Sequence, residues 1–166
     1  LLNKENIFQA FENKEKKRPT VFLIVIESLN QSIIGKKTET GQPITPFLNQ
    51  LGGQSLVVKH FYANSIQSAR GHVSMFLSLI PSISEKVTTQ FEHLKTYSIG
   101  RAMQDNGYGS VMFQAYKLDG FDNTQQFFGD RGFEMRSVFS YTKPEDEPYI
   151  WRHWGPEDTV FFKRFF

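Results

Sequence analysis

After Pro19, the chain runs Thr20-Val21-Phe22-Leu23-Ile24-Val25-Ile26, apolar and β-branched, with no polar residue in alternation. A strand with one wet face alternates. A run that is apolar on both faces suits the buried centre of a parallel sheet, covered by helices on either side. The run stops abruptly at Glu27-Ser28-Leu29-Asn30. A carboxylate at the C-terminal end of a central strand lies where open α/β sheets build their sites, and Glu27 reads equally as a plain surface carboxylate there. Asn30 reads as a turn residue or as a support for the Glu27 loop.

A second strand-like run, Leu56-Val57-Val58-Lys59-His60-Phe61-Tyr62, precedes the polar turn Ser65-Ile66-Gln67-Ser68-Ala69-Arg70-Gly71-His72. That turn opens an amphipathic run in which Val73, Phe76, Leu77 and Ile80 recur with helical spacing up to Pro81. A polar turn between strand and helix sets its hydroxyls among unpaired N–H groups at the positive end of the helix dipole, which favours an oxyanion or a nucleophile's developing charge. Ser68 therefore reads in two ways, as an ordinary helix N-cap or as a nucleophile.

The remaining punctuation is regular. Residues 1–18 form a polar, basic lead-in with a short helix near Ile7–Phe11, ending Lys14-Glu15-Lys16-Lys17-Arg18. Residues 32–43 read as a loop, and Thr45-Pro46-Phe47-Leu48-Asn49-Gln50-Leu51 as a helix with a capping Thr and Pro at its first position, stopped by Gly52-Gly53. Residues 82–91 read as a loop, 97–108 as a helix closed by Asn106-Gly107, 109–115 as a strand, 123–128 as a short helix and 132–138 as a strand. After a Pro-rich stretch over 140–150, Trp154-Gly155-Pro156-Glu157-Asp158 opens a last helix. Strands alternate with helices, so the expected class is α/β, a three-layer α/β/α sandwich on a mainly parallel sheet. The organisation is a lead-in, 1–18, and one domain, 19–166.

Composition narrows the chemistry. There is no cysteine, which removes disulfides, thiolate metal sites and a cysteine nucleophile. A net charge of +2 is too small to argue for nucleic acid. No run approaches the ~18 apolar residues of a membrane span. Without an initiator Met or a signal-peptide pattern, the chain reads as a piece of something longer. It contains no GxGxxG, P-loop, CxxC or HExxH pattern.

Four segments, taken in order, resemble the sulfatase-like branch of the alkaline phosphatase superfamily, most closely its lipoteichoic acid synthase and phosphoglycerol transferase group. Arg18–Leu29 resembles the first strand with its metal-binding Glu. Thr45–Leu51 resembles the "TPxLxxL" helix, and Phe61–Gly71 the "FYxNxxQTxRG" nucleophile turn, with Ser68 where the group usually has Thr. Asn106-Gly107-Tyr108 before a strand, and Trp154-Gly155 with Asp158, follow in the same order. The later Asp-His pair of the family's metal site has no counterpart, because the chain contains no Asp-His dipeptide. The resemblance thus implies the N-terminal part of an alkaline-phosphatase-like catalytic domain.

It further implies that Glu27 and the Ser68 oxygen are two ligands of one divalent cation, Mn2+ by preference, with Mg2+, Zn2+ or Ca2+ as alternatives. Ser68 would attack a phosphodiester on a phospholipid or a glycan, in a membrane-anchored parent acting at the extracytoplasmic face of the membrane. Arg70 would neutralise the phosphoryl oxygens, or else pair with a surface carboxylate. His72, one turn after Ser68, reads first as a polar surface residue. Trp154, with Arg152 and His153, forms a substrate rim, or Trp154 is core packing. Sulfate-ester cleavage by the formylglycine route needs Arg four residues after the modified residue; Ser65 and Ser68 have Ala69 and His72 there. Phosphoethanolamine transfer is the nearest enzymatic rival. A non-catalytic binding or structural fragment is the reading of another class, and with half the metal site missing residues 1–166 alone should be inactive.

Overall fold

The computed structural model describes residues 18–118, 122–151 and 154–166. The helix expected near residues 7–11 and the basic run 14–17 lie outside these residues, as do Arg152 and His153. The chain forms two compact units, residues 1–55 and 56–166.

In the first unit the run 20–26 is extended and solvent-exposed, and it joins no ladder among the described residues. The expected buried strand is not formed, because a strand becomes part of a sheet only when another supplies its hydrogen bonds. Beyond it, Asn30 caps a 3-10 turn, Gln31–Ile33, its side chain accepting from Ser32 N at 2.8 Å. Helix α1, Pro46–Gly52, has proline in its first turn as expected. Thr45 stands at its N-cap, but its hydroxyl donates to Asn49 Oδ1 (3.0 Å) and caps no backbone N–H. The same oxygen accepts from Gly35 N (2.9 Å), pinning the preceding loop to the helix.

The second unit begins with 56–62, which is likewise exposed and outside any ladder among the described residues. Helix α2, Ser68–Leu77, ends at Ser78 in the left-handed region (φ 55°), three residues before Pro81. Ile80, expected on the apolar stripe, therefore lies past the helix and is 94% exposed. A short helix α3, Val87–Gln90, occupies the stretch read as loop. Helix α4, Ile99–Asp105, is followed by Gly107 at φ 79°. Strand β1, Val111–Gln114, helix α5, Thr124–Gly129, and strand β2, Glu134–Ser137, then form a βαβ unit. The two strands pair in parallel, from Val111 opposite Glu134 to Gln114 opposite Ser137. The Pro-rich stretch is a 3-10 turn, Pro144–Tyr149, leading into a two-residue antiparallel pair, β3 (Ile150–Trp151) and β4 (Gly155–Pro156). Helix α6, Asp158–Phe165, closes the chain.

This pair of strands is covered on both faces, so the three-layer plan is present in miniature. Because successive side chains alternate, Met112 and its register partner Met135 face one side. There they pack on Val73, Phe76 and Leu77 of α2 and Phe127 and Phe128 of α5. The rings meet edge to face, Phe76 on Phe128 at 5.6 Å and Phe127 on Phe128 at 5.1 Å between centroids. Phe113 faces the other side, against Tyr141, Phe161 and Phe165. The terminal phenylalanines thus divide: Phe161 and Phe165 reach Phe113, whereas Phe166 remains exposed.

A buried cation fastens the first of these layers. Arg131 is 4% exposed. Its guanidinium donates to Phe127 O (2.6 Å), Thr96 Oγ1 (2.8 Å), Glu92 O (3.3 Å) and Leu94 O, and stacks on the Phe127 ring at 3.7 Å. Burial lowers its pKa below that of an ordinary guanidinium. Its own carbonyl accepts from the hydroxyl of Ser98, which in turn caps α4 by accepting from Arg101 N at 3.0 Å. Arg131→Leu would leave the buried Phe127 carbonyl and the partly buried Glu92 and Leu94 carbonyls without this donor, at about 1–3 kcal/mol for each one unmet. We expect a loss of at least ~3 kcal/mol in urea unfolding, with little rescue by Arg131→Lys, whose ammonium lacks the planar fork.

On the other side, Asp146 (2% exposed) fastens the Pro144–Tyr149 turn to α6. Arg164 donates to both its oxygens, Nε to Oδ2 at 2.8 Å and Nη2 to Oδ1 at 2.9 Å, and Lys143 N donates to Oδ2 at 2.9 Å. The Arg164 hydrogen bonds first, then the Lys143 amide, lower the Asp146 pKa from 3.8 to about 2. A depressed carboxylate pKa contributes stability above the unfolded value, lost as pH falls through the folded one. Melting temperature should therefore fall steeply between pH values of about 4 and 2. Asp146→Asn should be less stable at neutral pH and flatter across that window.

Candidate active site

Glu27 lies in the first unit, exposed at the end of the extended run. The next residue, Ser28, has φ 57°, a left-handed conformation that is uncommon for a residue with a Cβ and turns the chain sharply. The Ser28 hydroxyl donates to Glu27 Oε1 at 3.4 Å, a long bond. Asn30, capping the following 3-10 turn, fills the turn-residue role.

Ser68 is the first residue of α2, not its cap. The cap position belongs to Gln67, which is extended and makes no side-chain cap bond, while Ser65 Oγ accepts from Gln67 N at 3.2 Å. Ser68 thus stands half-buried at the positive end of a ten-residue helix. Arg70 follows in the same turn. It pairs with no Asp or Glu among the described residues, and its Nε is buried without a hydrogen-bond partner there. His72, one turn on, is half-buried against the rings of Phe76 (5.7 Å) and Phe128 (6.3 Å), a packing position and not an open surface.

The C-terminal half of α2 is seated on the aromatic core. Phe76 meets Phe133, the residue before β2, at 5.4 Å, and Val73 and Leu77 join the same cluster as Met112 and Met135. Ser68 is eight residues before Phe76, roughly 12 Å back along the helix axis. The C-terminal ends of β1 and β2 are the edge at which α/β sheets hold ligands.

Two further features gather there. A hollow of about 270 Å3, lined by Lys117, Leu118, Ser137, Phe139 and Ser140, opens past the strand ends. Gly155, at φ 96°, lies so close to Ala115 that a Cβ would sit 2.0 Å from the Ala115 carbonyl oxygen. This brings the turn carrying Trp154 against the residue that follows β1. Trp154 is 83% exposed, so it packs in no core among the described residues, contrary to the core-packing reading.

One residue at this edge escaped the sequence reading. Gln114 ends β1, is 6% exposed, and neither its Nε2 nor its Oε1 has a hydrogen-bond partner among the described residues. The signal was present: a polar residue at the end of the apolar strand, in phase with Met112.

Glu27 and Ser68 offer oxygen donors suited to a hard or borderline divalent cation. Among the described residues, however, no three of His, Cys, Asp and Glu come together as a ligand set. These residues alone do not complete a metal site.

Ser68 thus stands at a helix N-terminus, two residues before an arginine whose buried Nε is unmet among the described residues. The sequence model of the sulfatase family matches residues 19–166, and the chain belongs to that family. Among solved structures it is similar to the lipoteichoic acid synthase LtaP from Listeria monocytogenes, with a TM-score of 0.69 and 24% identity. That match covers 80% of this chain and 32% of the other, so the chain spans about a third of the LtaP structure. No curated protein matches it. The fold is an incomplete alkaline-phosphatase-like α/β fold.

Proposed function

We propose that the protein transfers or hydrolyses a phosphoryl group of a phosphodiester, of the phosphoglycerol type, through the Ser68 hydroxyl. The observation that carries this reading is Ser68 at the N-terminus of α2, followed two residues on by Arg70, whose buried Nε has no hydrogen-bond partner among the described residues. A cation whose donor is buried and unmet is suited to receive an anionic oxygen.

In this reading Ser68 Oγ attacks phosphorus in line. A bond forms between phosphorus and Oγ, the bond to the leaving alcohol breaks, and that alcohol takes up a proton. Arg70 and the first-turn N–H groups of α2 hold the charge developing on the phosphoryl oxygens. An acceptor hydroxyl or water then attacks the phosphoserine, the bond to Oγ breaks, and Ser68 is restored. Trp154 forms the rim over which the substrate enters, joined by Arg152 and His153. A divalent cation, Mn2+ by preference, would be held by Glu27, Ser68 and further donors; when bound it favours the alkoxide of the nucleophile. The substrate is carried on a phospholipid or a glycan, and the parent protein is anchored at the extracytoplasmic face of the membrane. Among the described residues no helix is long and apolar enough to cross a membrane, so the anchor would lie elsewhere.

Ser68→Ala in the full-length protein should abolish turnover of phosphatidylglycerol while shifting the melting temperature little, since Ser68 is not the cap of α2. Near-wild-type turnover would overturn the proposal. Residues 1–166 alone, supplied with Mn2+, should show no turnover above the uncatalysed rate, because a catalytic metal site generally uses about three protein ligands. Turnover by that piece that disappears with Ser68→Ala would show its own residues to be sufficient.

A further inference from the structure

We propose that the β3–β4 hairpin seats the protein on a lipid bilayer through the exposed rings of Tyr149, Trp151 and Trp154. Its purpose rests on the reading above that the substrate is carried on a phospholipid.

The rings are presented by a short, well-anchored piece of backbone. Tyr149 is 49% exposed, Trp151 63% and Trp154 83%. Successive residues of a strand alternate between faces. Ile150 is half-buried, so Tyr149 and Trp151 share the outer face of β3. Trp154 lies in the turn, where its backbone N–H donates to the Trp151 carbonyl at 3.1 Å. Trp151 is paired with Gly155, and Glu157 N donates to Tyr149 O at 2.9 Å. Gly155 in turn abuts the Ala115 backbone. The hairpin is therefore ordered in advance, and little further ordering is needed when the rings bind.

The size and chemistry of the patch select the partner. At 150–250 Å2 for a whole aromatic side chain, the exposed parts amount to roughly 300–500 Å2. A specific protein interface buries about 800 Å2 on each partner. A bilayer needs no matching surface, and each ring that enters it contributes separately. Trp and Tyr are the residues enriched at membrane–water interfaces, where the ring meets the acyl boundary and the N–H or O–H stays among the head groups. The sequence carries Arg152 between the tryptophans and Glu147 and Glu157 to either side, so charge nearly balances and the rings supply the attraction. A head group lying at the bilayer surface would then reach Trp154 without leaving the membrane.

Trp151 and Trp154 are the two tryptophans of the chain, so its indole fluorescence reports on this hairpin alone. Phosphatidylcholine vesicles added to the 166-residue chain should shift the emission to shorter wavelength, and vesicles of brominated phosphatidylcholine should quench it. Phosphatidylglycerol vesicles should act within about threefold of the same lipid concentration, because the patch is nearly neutral. Trp151→Ala combined with Trp154→Ala, followed by co-sedimentation with vesicles, should weaken binding roughly tenfold or more. Tyr at both positions should restore most of it. Both side chains are exposed, so the melting temperature should not change in either variant. Emission that is neither shifted nor quenched, or co-sedimentation unchanged in the double alanine variant, would overturn the proposal. A shift produced by dextran and not by vesicles would overturn it in favour of glycan stacking. None of these measurements involves Ser68. Vesicle binding as expected, together with full turnover by Ser68→Ala, would therefore uphold this surface and overturn the phosphoryl-transfer reading alone.

Discussion

A buried guanidinium that forms no ion pair among the described residues holds the second unit together. Arg131 gives its N–H groups to carbonyls of the 92–94 loop and of α5 and to Thr96, and lends its own carbonyl to Ser98. One side chain thus fixes the end of α5, the loop before α4 and the start of α4. A carboxylate partner would neutralise the charge but meet fewer donors. Distributing the charge over several oxygens satisfies each N–H and fixes several segments at once. The position of β2 follows, because Arg131 is three residues before Glu134. So does the ring packing of Phe133 on Phe76, which seats α2 on this layer.

From that frame, alternation along four residues distributes the tasks of β1. Met112 joins the aromatic core under α2, Phe113 takes the rings of α6, and Gln114 emerges at the strand end on the α2 side. A register slip of one residue would send Gln114 into the phenylalanines of α6 and Phe113 to the α2 side. The same ladder hydrogen bonds therefore fix both aromatic layers.

Much of this was legible in the residues because it depends on local chemistry. Pro46, Asn106-Gly107 and the apolar runs around Phe113 and Met135 marked their elements. Ser68 at the head of its helix was readable for the same reason, although Gln67 took the cap. What failed depended on partners. The apolar runs 20–26 and 56–62 have strand composition, but composition supplies no neighbour, and neither joins a ladder among the described residues. Ile80 had the right spacing, yet Ser78 in the left-handed region ended the helix before it. Gln114 was missed because an unmet hydrogen bond is a property of surroundings, and no single residue displays it.

Gly155 sets a restriction of a different kind. Its α-carbon occupies the space beneath the Ala115 carbonyl, which no side chain can share. The separation between the end of β1 and the tryptophan-bearing turn is therefore fixed at backbone contact distance. No side chain at position 155 can widen that gap without moving the backbone of one segment or the other. A change in spacing has to come from Trp154 itself or from the length of the turn between β3 and β4. Sequence divergence at this corner is thus channelled into a few residues on one side of it.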